Sequence, residues 1–136
     1  MSNGENPLRW DCEKQGCFNK KKRPKIEVFA ECFPRRINFG DVDGIVEIGG
    51  RFLMLEWKPG SGKLSTGQRI LYERITKHMP CVVLVVAGDP ETMRVGEVAV
   101  YMNGTFHEWE PCDLAHLKER MKKWVAWVEK GAPPHV

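Results

Sequence analysis

Apolar and polar positions alternate twice in quick succession between residues 42 and 57. The run from Val42 to Ile48 meets the run from Arg51 to Trp57 across Gly49 and Gly50, the pattern of two antiparallel strands joined by a two-residue turn. Before them, Pro24 can open a helix that places Ile26, Phe29, Ala30 and Phe33 on one face and ends at Pro34. After them, Ser65 or Thr66 caps a helix to about His78, closed by Pro80, with Ile70, Leu71, Ile75 and Met79 as its expected buried stripe. Cys81 to Gly88 is a continuous β-branched run, the signature of a strand covered on both faces. Val95 to Met102 and Thr105 to Glu110 form a second hairpin around Asn103 and Gly104, the strongest short turn signal in the chain. Asp113 then caps a helix to about Lys130 that turns Leu114, Leu117, Met121, Trp124, Val125 and Val128 inward, and Gly131 stops it. The predicted class is α/β, a central mixed β-sheet flanked by helices.

Composition bounds this picture without changing it. A chain of 136 residues, 42% hydrophobic and 29% charged, can bury one core and is not compositionally disordered. The pattern treats residues 1–23 as an irregular basic segment, 24–130 as one domain and 131–136 as a loose tail. No apolar run reaches the length of a membrane span, and the first residues lack a signal-peptide core, so a cytoplasmic location is expected. Five irregularly spaced cysteines suit reduced thiols better than a disulfide framework. Cys12 and Cys17 stand at the wide end of zinc-ligand spacing, and Cys32 could be a third ligand, but no second close pair completes a site.

Charge is informative through its distribution. The net charge is only +3, yet Lys20, Lys21, Lys22, Arg23, Lys25, Arg35 and Arg36 crowd the segment before the first hairpin. A basic patch beside an acidic pocket suits a polyanion, which points to nucleic acid as partner. The acidic residues are Asp41 and Asp43 at the start of the first strand and Glu56 at the end of the second, with Lys58 one position beyond Trp57. Antiparallel pairing makes these strand ends neighbours, and period-two geometry puts Glu56 and Lys58 on one face with Trp57 on the other. Glycines flank the hairpin and invite a phosphate-loop reading, which fails. Trp57 stands where the first glycine of that motif belongs, and Leu64 where its hydroxyl belongs. Lys63 can still approach a phosphate from this loop.

Asp43 between Val42 and Gly44, followed by Glu56-Trp57-Lys58 on the paired strand and a glutamine-bearing helix, resembles the PD-(D/E)XK nuclease superfamily of restriction-endonuclease-like and Holliday-junction-resolvase-like proteins. The resemblance covers roughly residues 24–88, with Val42 in place of the proline found in many members. It implies an αβββαβ core, here with an extra C-terminal hairpin and helix. It also implies a Mg²⁺-dependent phosphodiesterase acting on nucleic acid, most simply DNA, with Mn²⁺ able to substitute. Asp43 and Glu56 would hold the metal together with the Trp57 carbonyl. Lys58 would orient or deprotonate the attacking water or stabilise the phosphate, and Gln68 would position the site. Asp41 could replace Asp43, and Glu31 could add an acid from the preceding helix. A homodimer would be the economical way to cut both strands of a duplex.

Two other readings stay open on the same residues. Asp43, Glu56 and Lys58 could be a cross-strand ion cluster stabilising the sheet by under about 1 kcal/mol. The fold could also serve as a non-catalytic nucleic-acid-binding or protein-interaction module, with the Lys20 to Arg36 segment contacting phosphates.

Overall fold

The computed structural model describes residues 24–60 and 63–131. The chain divides into two compact units, residues 1–41 and 42–136. That division falls inside the span that the sequence pattern treats as one domain.

In the first unit, the expected α-helix is a 3-10 helix, Ile26–Cys32, with no buried residue. Its bonds run i to i+3, as from the Val28 N–H to the Lys25 carbonyl at 3.2 Å. Lys25 supplies no side-chain cap, and seven residues with two β-branched side chains are too few to nucleate an α-helix in isolation. Phe39 packs edge-on against Phe29 and Phe33, with ring centroids 6.1 and 5.4 Å away.

The second unit is α/β, with one five-stranded mixed sheet in the order β1-β2-β3-β4-β5. The strands are β1 (Gly44–Ile48), β2 (Arg51–Pro59), β3 (Cys81–Asp89), β4 (Arg94–Met102) and β5 (Thr105–Pro111); the helices are α1 (Thr66–His78) and α2 (Leu114–Lys130). Only β2 and β3 run parallel, joined through α1; every other neighbouring pair is antiparallel. Two strands precede α1 among the described residues, where the αβββαβ order implied three. No described helix is long and apolar enough to cross a membrane.

Both hairpin turns form as their sequences dictate. Gly49 and Gly50 take φ of 58° and 84°, and Asn103 and Gly104 take 54° and 79°, the left-handed pairs that match strand twist. The central strand β3 is buried from Cys81 through Ala87. Its odd and even positions serve different layers. Val82, Leu84 and Val86 join Leu53, Leu117 and Trp124 in a core under α2, while Val83 and Val85 join Met54, Tyr72 and Tyr101 under α1. Each face of the sheet therefore carries one helix.

α2 follows its sequence pattern. Asp113 caps it, Gly131 ends it at φ 69°, and Leu117 and Trp124 are its buried residues. α1 has the predicted ends but a different inner face. Its buried residues are Tyr72 and Thr76, while Ile70, Leu71 and Met79 are 39%, 46% and 45% exposed. Of the expected stripe, only Ile75 packs against the core. The helix is rotated by polar tethers. Gln68 is held to the sheet near its start, and residues four and eight positions on, Tyr72 and Thr76, must then face the same way. Thr76 Oγ1 donates to the Tyr72 carbonyl at 2.7 Å and accepts the Gly104 N–H at 3.0 Å, which ties α1 to the second turn.

Candidate metal centre

The second strand carries the site because its alternation sorts side chains between the two faces. Leu53, Leu55 and Trp57 turn toward the α2 core, and Met54 toward the α1 core. Continuing the period puts Glu56 and Lys58 beneath the start of α1, and both bond to Gln68 there. Gln68 Nε2 donates to Glu56 Oε1 at 2.8 Å, and Lys58 Nζ donates to Gln68 Oε1 at 2.7 Å. The same glutamine is the third residue of a capping box. Its N–H donates to Ser65 Oγ at 3.1 Å, and its Oε1 also accepts the Ser65 N–H at 3.2 Å. One side chain therefore ends the loop, starts the helix and bridges the acid to the ammonium.

Asp43 stands just before β1. Gly44 pairs with Leu55, which places Asp43 across from Glu56. Asp43 Oδ2 accepts the Trp57 N–H at 2.6 Å, closing the open end of the hairpin. In an extended strand a residue's N–H and C=O leave by the same edge, so the Trp57 carbonyl also leaves toward the Asp43 side. The Trp57 indole lies on the opposite face and donates to the Gly88 carbonyl at 3.1 Å. A Cβ at position 88 would meet the Arg94 carbonyl oxygen and come within 3.1 Å of the Trp57 ring. Gly88 thus lets the tryptophan clamp β2 to β3 beside the acids.

Glu56 is only 7% exposed. Burial, and next to it the neighbouring Asp43 carboxyl, push its carboxyl above the ordinary value, against the opposing pull of Tyr72 and Lys58. The Tyr72 hydroxyl donates to Glu56 Oε1 at 2.6 Å, and burial followed by that bond pushes the phenol upward. Oε1 is thereby occupied by two donors, Gln68 Nε2 and the Tyr72 hydroxyl.

Compared with protein-family models, curated proteins and solved structures, the chain matches none.

The donor set is oxygen only: two carboxylates on facing strand ends and a backbone carbonyl leaving the same edge. That suits a hard cation such as Mg²⁺, which keeps several waters and needs only one or two carboxylates, whereas soft metals favour thiolate or imidazole. Among the described residues no group of three or more His, Cys, Asp or Glu is arranged around a metal position. Burial first, and the neighbouring Asp43 second, raise the Glu56 carboxyl, and a divalent cation favours the charged form that both oppose.

Of the residues singled out in the sequence, Asp43, Glu56, Trp57, Lys58 and Gln68 come together. Glu31 and Asp41 belong to the first unit, as do Lys25, Arg35 and Arg36, which are exposed there. Lys63 is exposed in the loop before α1. Lys20, Lys21, Lys22, Arg23, Cys12 and Cys17 lie outside the described residues; Cys32 is an exposed free thiol. Sequence reasoning missed Tyr72. The available signal was its place one turn beyond Gln68 on a helix that begins over the acidic strand end.

Proposed function

We propose that the chain is a Mg²⁺-dependent nuclease of the PD-(D/E)XK type, hydrolysing phosphodiesters of nucleic acid at the Asp43, Glu56 and Lys58 cluster. The observation that carries this reading is the joint placement of a desolvated carboxylate, a facing second carboxylate and a bridged ammonium at one end of β2. A surface ion cluster needs neither burial of Glu56 nor two hydrogen-bond donors from α1 aimed at its carboxylate. Glu56, Asp43 and the Trp57 carbonyl would hold the cation. A bound Mg²⁺ would neutralise phosphodiester charge and lower the pKa of a water to make a nucleophile at neutral pH.

The remaining work falls to the chain. Gln68 fixes the Lys58 ammonium 2.7 Å from its own amide oxygen, so the charge is placed before substrate arrives. There it orients the attacking water and meets the extra negative charge that develops on the phosphoryl oxygens. Tyr72 and Gln68 together hold the Glu56 carboxylate through Oε1, which fixes its orientation at the strand end.

The test is cleavage of plasmid, single-stranded and branched DNA in Mg²⁺ by wild type, Glu56→Ala and Lys58→Ala proteins purified identically. Cleavage by wild type and a loss of about a hundredfold or more in both variants supports the reading. Equal activity in all three would mark a contaminant and remove the site. DNA binding unaffected by chelator, with no cleavage under any condition, would favour a pure binding module.

A further inference from the structure

A second feature lies on the same face of the sheet, on the far side of Tyr72 from Glu56. A cavity of about 300 Å³ opens between the start of α1 and the second hairpin, lined by Lys63, Leu64, Arg69, Tyr101, Phe106 and Trp109. Its floor is aromatic. Tyr101 is buried, and Phe106 and Trp109 are half-buried, packed against the α1-side core. Two exposed cations border it: Lys63 from the loop and Arg69 from the first turns of the helix. Arg69 lines the cavity beside Tyr101, and its guanidinium bears electrostatically on that phenol. Glu73, one turn further on, bears on Tyr101 but does not line the cavity.

The cavity is linked to the cluster described above through packed side chains. Tyr72 donates to Glu56 and packs on Tyr101 with centroids 5.6 Å apart, and Tyr101 packs on Phe106 at 5.0 Å. Arg69 follows Gln68 directly in the chain. A ligand seated on these rings would therefore lie one side chain away from the acids, with its charged end toward Lys63 and Arg69.

Aromatic faces with cations at the border match one chemistry well, a nucleobase attached to its phosphate. Every base has a π-face, so stacking is sequence-tolerant, and the phosphates seek the cations. A cavity at the small end of ligand-pocket volumes suits a single nucleotide. A base inside a duplex has both faces covered and reaches such a platform only when unpaired or extruded. We infer that this cavity is a subsite for one unpaired nucleotide flanking the scissile phosphodiester, its base stacked on Trp109 and Phe106 and its phosphate met by Lys63 and Arg69. The inference rests on the nuclease reading for the word scissile, but binding at the subsite does not depend on cleavage.

Fluorescence anisotropy of the full chain in chelator measures this binding, using a labelled single-stranded DNA oligonucleotide and the duplex of the same sequence. Trp109→Ala and Arg69→Ala should each weaken single-strand binding about tenfold while duplex binding changes less than about twofold. Lys63→Gln should lower the salt slope for the single strand by about one. Trp109→Phe keeps a stacking face and should retain most of the affinity, which answers the question if Trp109→Ala does not fold. Unchanged single-strand affinity in the Arg69→Ala and folded Trp109 variants, or equal weakening for duplex, would overturn the subsite; so would failure of the wild type to bind single strands. The two readings separate cleanly. Tryptophan-dependent binding without cleavage leaves the subsite and removes the nuclease, whereas Lys58-dependent cleavage indifferent to Trp109 does the reverse.

Discussion

The two faces of one sheet are built on opposite terms. Under α2, Val82, Leu84, Val86, Val98 and Trp124 meet in a closed apolar layer, and Trp124 is 0% exposed. Under α1, β2 and β3 contribute Met54, Val83 and Val85, but at its end β2 turns Glu56 into the protein, and α1 answers with Gln68 and Tyr72. The first layer gains free energy by removing hydrocarbon from water. The second holds a carboxylate out of water and must supply donors to tolerate it. A protein built only for stability gains nothing from the second arrangement. The contrast teaches where to look for function: the face on which burial has been given to polar groups.

The largest effect should come from the dry face. Trp124→Ala removes a fully buried ring and should destabilise the second unit by about 3–5 kcal/mol, read by denaturant unfolding. A loss near zero would mean that the α2 layer is not the stabilising one and would collapse the contrast. Tyr72→Phe probes the wet face with almost no change in volume. It removes one of two donors to Glu56 Oε1, so stability should fall by only about 1 kcal/mol while cleavage falls about tenfold. A large stability loss with intact cleavage would assign Tyr72 to packing instead.

A third expected effect, in the same range as the loss from Tyr72→Phe, concerns protons and metal. The folded state raises the Glu56 carboxyl above its ordinary value of 4.5, so the folded protein holds that proton where the unfolded chain has released it. Glu56's contribution to stability is therefore fullest below pH 4.5 and declines as pH rises through the interval up to its raised value. Thermal melts from acid to neutral pH should show that decline in wild type and a flatter profile in Glu56→Gln. At neutral pH, Mg²⁺ at ten times its dissociation constant should restore about 1.4 kcal/mol to wild type and nothing to Glu56→Gln. Identical profiles for the two proteins, or a Mg²⁺ effect that survives the substitution, would detach the metal from Glu56.

The hairpins and helix ends were legible because their causes are local. Gly49 with Gly50 and Asn103 with Gly104 select their turn by backbone sterics, and Ser65, Asp113 and Gly131 act within one turn of helix. The inner face of α1 was not legible. Counting apolar residues chose Ile70, Leu71 and Met79, because hydropathy gives no weight to a tyrosine and a threonine whose polar atoms find partners only after folding. The opening helix was misjudged for a related reason. Its periodicity suits an α-helix, but Lys25 makes no side-chain cap, none of its residues is buried, and seven residues settle for 3-10 geometry.

By itself, the sequence determined that Asp43 and Glu56 would meet, since a two-residue turn fixes the register of the hairpin and sets position 43 opposite position 56. It likewise put Lys58 on the side of Glu56 and Trp57 on the other. Only the tertiary structure decided how that meeting is used. Gln68 and Tyr72 reach Glu56 from 12 and 16 residues away, and Trp57 reaches Gly88 across 31. Those contacts depend on how α1 rotates over the sheet and how β3 enters beside β2, which are set by packing of the whole unit. Local pattern brings two like charges together, and long-range packing makes the desolvated, donor-lined environment in which one of them can work.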